Sequence, residues 1–598
     1  METPTQNRTR GGRSSVTAAE KAQARDVSLR RVGRLFIPYR WPLTVVIATI
    51  VASSIVAMAS PFLLREVLDI ALPNRNLNLL IWLVLGMVGV AVLTAALGVV
   101  QTWIATSIGQ RVMHRLRTEV FSHLQRQSIA FFTNTRTGEV QSRITNDIGG
   151  MQSVVTSTAT SIASNLTTAV ATLVAMAALS WQLTLISLLV MPPSIYLSRR
   201  VARRRRTITV QQQRELADLN VIVEESLSIS GVQLAKTMGT GPALAERFTG
   251  SSTRLIDLEL RSQLAGRWWM ATMSIVFAAI PAIIYLAAGL PMTAGAMTVG
   301  TLVAFTTLQN GLFRPLIGLL DTGVSVVSSL ALFGRIFEYL DLPVEVEDPA
   351  EPVAVDPAAV AGHVRFEDVT FAYGGSSTAA VAGISLDVPA GSTLALVGET
   401  GSGKSTLAAL VSRLYDPAGG RITIDGVDLR DMRLADLASI VGVVSQETYL
   451  LHATVRENLR YAKPDATDAE IEAAARAAQV HDLIAGLPEG YDTMVGSRGH
   501  RFSGGEKQRL AIARTLLRNP RVLVLDEATS ALDTATERAV QEAFDALAVG
   551  RTTITIAHRI STVRNADQIV VIDQGRVAES GTHDTLVADN GRYATLAA

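Results

Sequence analysis

The sequence predicts two halves of different class, an α-helical membrane domain of six spanning helices followed by an α/β domain built round a phosphate-binding loop. Three observations carry this. Uncharged runs recur through the first half at residues 41–64, 77–110, 148–198 and 268–313. Later, Gly398-Glu399-Thr400-Gly401-Ser402-Gly403-Lys404-Ser405 joins an apolar strand-like run (392–397) to a helix-like one (406–414). Further on, residues 521–527 form an apolar strand that closes on Asp526 and Glu527.

Composition agrees with a split chain. At 598 residues it exceeds what one core supports. Hydrophobic residues make up 48% against 18% charged, and mean hydropathy is +0.29, high for a soluble protein. With no cysteine, disulfides, thiolate metal sites and a cysteine nucleophile are excluded. A net charge of +1 argues against bulk affinity for nucleic acid, so no nucleic-acid partner is expected.

Residues 1–26 are polar, basic and aperiodic, and are expected to be a disordered tail. Residues 27–40 are basic and amphipathic, suiting a short elbow helix on a membrane surface. The run 41–64 is long enough to cross about 30 Å of hydrocarbon as a helix, and 77–110 provides a second crossing. Residues 148–198 are too long for one crossing and must fold back near Ser180-Trp181-Gln182; 268–313 repeats the design with a turn near Gly289, Pro291 and Gly295. That makes six spans within residues 27–340.

Arginines set the orientation. Arg111, Arg115, Arg117, Arg126, Arg136 and Arg143 lie between the second and third spans, and Arg199, Arg200 and Arg203 to Arg206 follow the fourth. Both termini are therefore expected in the cytoplasm. The two arginine-bearing connections exceed a turn and read as helix extensions, with polar breaks at 134–138 and 238–241. Residues 341–361 are acidic, proline-rich and aperiodic, as a linker would be, and 362–598 alternate strand and helix patterns.

The chemistry gathers in this second domain. A glycine-rich turn at a helix start aims backbone N–H groups at an anion. Lys404 can then reach the β- and γ-phosphates of a nucleotide, and the Ser405 hydroxyl can sit on Mg²⁺. Asp526 is placed to hold Mg²⁺ through water, and Glu527 to polarise the attacking water. Between these motifs, Phe502-Ser503-Gly504-Gly505-Glu506 opens another helix whose two glycines permit close approach to an anion.

The phosphate loop, Ser-Gly-Gly helix start, hydrophobic strand ending Asp526-Glu527 and downstream His558, behind six spans, resemble an ATP-binding cassette (ABC) half-transporter of the bacterial multidrug and lipid exporter type. The resemblance covers residue 27 to the C-terminus. It implies the type I/type IV exporter fold, bound ATP and Mg²⁺, and a nucleotide cradle of Gly398, Glu399, Thr400, Gly401, Ser402, Gly403, Lys404, Ser405 and Thr406. It further implies that Tyr373 stacks on adenine. Gln446 would sense the γ-phosphate, contact the metal and touch the membrane domain. Ser503, Gly504, Gly505 and Glu506 would meet ATP held by a second subunit, with Asp533 crossing the dimer interface and His558 holding the γ-phosphate. Phe502 and Glu506 stand where the family usually has Leu and Gln, and Ser497 where it usually has Glu.

What the resemblance implies is an ATP-driven exporter of hydrophobic or amphipathic molecules, working as a homodimer in a bacterial inner membrane. A heterodimer, a partner subunit and a transporter of one specific metabolite, inward included, are the alternatives. Thr156, Thr160, Ser164, Thr167 and Thr168 on the third span, Trp268, Trp269, Met270 and Met273 on the fifth, and Thr301, Phe305, Thr306, Gln309, Asn310 and Phe313 on the sixth are candidates to line a pathway. Arg314 and Asp321 share a helix face and are expected to pair structurally.

Overall fold

In the computed structural model, the described residues are all but 1–26, 136, 154–157, 289–297, 375–377, 446–447, 497–501, 527–533, 558–562 and 598. The chain divides into two compact units, residues 1–122 with 138–341, and residues 123–137 with 342–598.

Among the described residues, six long helices start in the first unit: α1 (Arg40–Glu66), α2 (Leu77–Gln125), α3 (Ala159–Leu179), α4 (Trp181–Leu227), α5 (Gly241–Ala288) and α6 (Val299–Leu340). Among the described residues, three segments (Ile37–Ala71, Leu77–Gln125 and Ala159–Leu179) are long and apolar enough to cross a bilayer. The turn between α3 and α4 falls at Ser180, whose hydroxyl accepts from the Leu183 N–H at 3.4 Å. Helices α4 and α5 pack along one another, and α3 packs against both α1 and α6. The core of the latter group, to which α4 adds Leu183 and α5 adds Ile284, also holds Met176, Phe305, Leu308 and Leu312.

Polar groups fix how these helices meet. A π-turn, Val67–Ala71, follows α1 and carries Asp69 to the start of α6. There the Asp69 carboxylate accepts from the Gly300 N–H at 2.8 Å and from the Thr298 hydroxyl. A carboxylate on a helix N-terminus satisfies an orphan N–H and faces the positive end of the dipole. Gly300 is required here, because a Cβ would stand 2.6 Å from the Asp69 carboxylate. At the other end of α6, buried Asp147 pairs with Arg335 at 3.2 Å and with Arg143 at 3.5 Å.

Among the described residues, the second unit holds two sheets. One is antiparallel, ordered β2-β1-β4-β5, from β1 (Val364–Phe371), β2 (Val381–Val388), β4 (Gly419–Ile424) and β5 (Val427–Asp428). The other is ordered β10-β9-β3-β8-β7-β6, from β3 (Thr393–Val397), β6 (Val441–Val444), β7 (Val522–Asp526), β8 (Thr552–Ile556), β9 (Gln568–Asp573) and β10 (Arg576–Gly581). Its strands are parallel except β10, and β3, β7 and β8 are almost wholly buried, as sheets covered on both faces are.

Residues 342–361 lie along this unit. Arg413 donates to the Glu347 carbonyl at 2.9 Å, and the Val353 N–H to the Asp431 carbonyl at 2.9 Å. The segment 123–137 joins it: Ser128 donates to Glu345 at 2.6 Å and Arg126 pairs with Glu347 at 3.0 Å. The polar break read at 134–138 thus follows a short helix, Ile129–Asn134, that belongs with the second unit.

Candidate nucleotide site

Strand β3 is central in its sheet and ends at Val397, and the loop from Gly398 to Gly403 turns directly into α7 (Lys404–Val411). Gly398, Gly401 and Gly403 adopt φ of 148°, 84° and 111°. At two of them space forbids a side chain as well. A Cβ on Gly398 would stand 2.2 Å from the Ile572 carbonyl, and one on Gly403 2.5 Å from that of Ala380. The loop therefore needs glycine at these positions, where the missing side chains let a ligand approach its N–H groups. No side chain caps the start of α7, and no acidic residue occupies its first turn.

Lys404 is 5% exposed, and its ammonium donates to the carbonyls of Gly398 and Glu399, both at 2.7 Å. Burial pushes its pKa down, opposed by the charge of Asp526. A buried cation held by carbonyls, beside an uncapped helix start, fits a polyphosphate ligand. Ser405 is exposed at this start, and Asp526 ends β7, separated from β3 by β8 alone. Two strand spacings put the ends of β3 and β7 about 10 Å apart, at the carboxyl edge where parallel sheets bind ligands.

Tyr373 is 41% exposed and held edge-on against Phe371 and Tyr415, with ring centroids at 5.0 and 5.5 Å. Its hydroxyl shares a 3.0 Å hydrogen bond with Thr406, so a ring free to stack is tied to the first turn of α7. Ser503 is the N-cap of α8 (Gly504–Arg518) in a full capping box. Its hydroxyl accepts from the Glu506 N–H at 3.4 Å, and its own N–H donates to the Glu506 carboxylate at 2.7 Å. Gln446, Ser497, Glu527, Asp533 and His558 lie outside the described residues. The strand ends that precede Gln446, Glu527 and His558, namely Val444, Asp526 and Ile556, belong to three adjacent parallel strands.

A family model of the ABC transporter transmembrane region matches residues 43–316, and a second, of the ABC transporter itself, matches residues 381–530. The chain is 34% identical over 567 residues to an ATP-dependent lipid A-core flippase of Syntrophus aciditrophicus, covering 95% of this chain and 93% of that one. It is also 34% identical over 574 residues to a Bacillus subtilis chain named as a candidate multidrug export ATP-binding/permease protein, covering 95% and 98%. A solved bacterial Atm1-family ABC exporter with ATP bound superposes with a TM-score of 0.74 at 31% identity, over 93% of this chain and 97% of that one.

This chain belongs to the ABC transporters. It is a half-transporter of exporter type, with one membrane region and one nucleotide-binding domain, and it couples ATP hydrolysis to transport across a membrane that it crosses several times.

Two features of the site, the brace on Tyr373 and the capping box that Glu506 completes, escaped sequence reading. Tyr415, which braces Tyr373, is remote in sequence and carries no periodic signal. Glu506 did carry one, since Ser503-x-x-Glu506 ahead of an apolar-periodic helix is a capping-box signature. The membrane side differs from expectation. Phe305 and Gln309 are fully buried, Thr301, Thr306 and Phe313 nearly so, and Asn310 is exposed. Phe305 and Phe313 belong to the core where α6 packs against α1 and α3. Trp268 and Met270 are exposed, whereas Thr156 and the side chains of Trp269, Met273 and Asp321 lie outside what is described. Arg314 is exposed.

Proposed function

We propose that the transporter exports hydrophobic or amphipathic molecules, lipids or drugs, from the inner face of a bacterial plasma membrane. It works as a homodimer, with both termini and the nucleotide-binding domain in the cytoplasm and ATP held at composite sites between two copies. The observation that carries this is the bare, uncapped loop-to-helix junction from Gly398 to Lys404, in a chain whose other unit is a bundle of long apolar helices. The arginine distribution supports the orientation, and the names of the relatives support the cargo class.

Bound ATP with Mg²⁺ supplies the transferable phosphoryl group and the metal charge that offsets its oxygens. Tyr373 stacks on the base. The loop N–H groups and Lys404 hold the phosphates, while Ser405, Gln446 and Asp526 hold the metal or its waters. Glu527 orients and polarises the attacking water, and His558 steadies the γ-phosphate. Ser503, Gly504 and Gly505 of one copy close on the phosphates held by the other, with Asp533 at the seam. Phosphoryl transfer of this kind needs positioning and charge rather than a nucleophilic side chain.

An apolar cavity of about 620 Å³ between α1 and α3, lined by Val51, Ile55, Met58, Phe62, Val170 and Val174, suits the tail of such a cargo. The test is the purified chain in vesicles, assayed for ATP-dependent movement of a fluorescent lipid. Glu527→Gln should bind ATP yet lose roughly 10²–10⁴-fold in turnover and carry no lipid. Undiminished transport by that variant would refute the role given to Glu527. ATPase activity that appears only with a second, different chain would replace the homodimer by a heterodimer.

A further inference from the structure

From residue 27 to residue 64 the chain has no acidic side chain, and all four of its arginines there, Arg30, Arg31, Arg34 and Arg40, precede or open α1. Arg31 is engaged internally. Its guanidinium donates twice to Asp341, at 2.6 and 2.7 Å, and lies 4.1 Å from the Phe337 ring centroid. Arg30, Arg34 and Arg40 are exposed and pair with no carboxylate among the described residues. Beside them Leu29, Ile37 and Trp41 are 68%, 60% and 72% exposed. Bulky apolar groups next to exposed arginines suit the boundary between headgroups and acyl chains. Guanidinium groups also match phosphate geometry.

We infer that residues 29–41 are a binding surface for anionic phospholipid headgroups of the surrounding bilayer, with Arg30, Arg34 and Arg40 on the phosphates and Leu29, Ile37 and Trp41 in the acyl boundary. The Arg31–Asp341 pair fastens this surface to the exit of α6. Asp341 is the last residue of the helical unit, its N–H bonded to the Phe337 carbonyl at 2.9 Å, and the chain enters the nucleotide unit at Leu342. A two-pronged ion pair braced on an aromatic ring resists sliding. The depth of the surface segment is thereby passed to the point where α6 hands over to the ATPase. The inference rests on the orientation proposed above, which sets this surface against the inner leaflet.

The chain has no cysteine, so Ile37→Cys gives one attachment point for an environment-sensitive fluorophore. The labelled full chain is placed in nanodiscs of phosphatidylcholine with or without phosphatidylglycerol, and emission and ATPase rate are read on the same samples. Phosphatidylglycerol should shift the emission to the blue and change the ATPase rate at least about twofold. The variant R30Q/R34Q/R40Q should lose both responses, since each arginine carries about fivefold in affinity for an anionic surface. R31Q and D341N should keep the emission shift and lose the ATPase response. Identical readings in the two lipids, or a full response from the triple variant, would overturn the lipid surface, and an intact ATPase response in both R31Q and D341N would overturn the latch. Absence of ATPase in every sample would count against the proposed function, while the emission shift would still decide the lipid surface.

Discussion

The two helix starts of the nucleotide-binding domain are built in opposite ways. That of α7 is left open, with Gly403 as its N-cap, no side-chain cap and no acid in its first turn. That of α8 is closed on itself by the Ser503–Glu506 box, which satisfies two N–H groups and puts a carboxylate on the positive end of the helix. An open start beside the buried Lys404 can hold a triphosphate alone. On the function proposed above, the self-capped, partly neutralised start would serve as the weaker second contact that a reversible closure between two copies requires. On that reading strong binding and weak closure are separated onto two helices.

Removing the charge at the open start should have the largest effect. Lys404→Ala is expected to lower the ATPase rate at least about 100-fold, and near-normal activity would break the distinction. Next comes Tyr373→Ala, which loses a stacking partner worth about 1–3 kcal/mol and should raise the half-saturating ATP concentration roughly 5- to 150-fold with little change in maximal rate. The smallest effect sharpens the comparison at the closed start. Glu506→Gln keeps an acceptor for the Ser503 N–H but removes the negative charge, so the half-saturating ATP concentration should fall about two- to fivefold while the melting temperature stays put. A rise in that concentration would mean that the carboxylate helps the nucleotide instead of opposing it.

Sequence legibility followed the range of the interactions. The phosphate loop could be read whole, because its glycines answer to local backbone geometry and its strand and helix to adjacent residues. The six long helices announced themselves by the absence of charge. The face of α6 did not. Phe305 and Gln309 read as pathway because polar and aromatic groups line up at helical spacing, but which side of a helix meets α1 and α3 is decided by packing that no single segment encodes. The Asp69 contact with Gly300 and the Arg31 contact with Asp341 were hidden for the same reason, each joining residues far apart in the chain. Glu506 looked like a departure from the family until its hydrogen bond to the Ser503 N–H gave it a local task.

The claim that the open start of one copy is closed by the capped start of another has a direct test, helped by the absence of cysteine. Thr400→Cys and Ser503→Cys are combined in one chain, oxidised with and without ATP and Mg²⁺, and resolved on a denaturing gel. The account predicts a disulfide-linked dimer that increases with nucleotide and is lost when Lys404→Ala is added. A disulfide confined within single chains, or a dimer band indifferent to nucleotide, would contradict it.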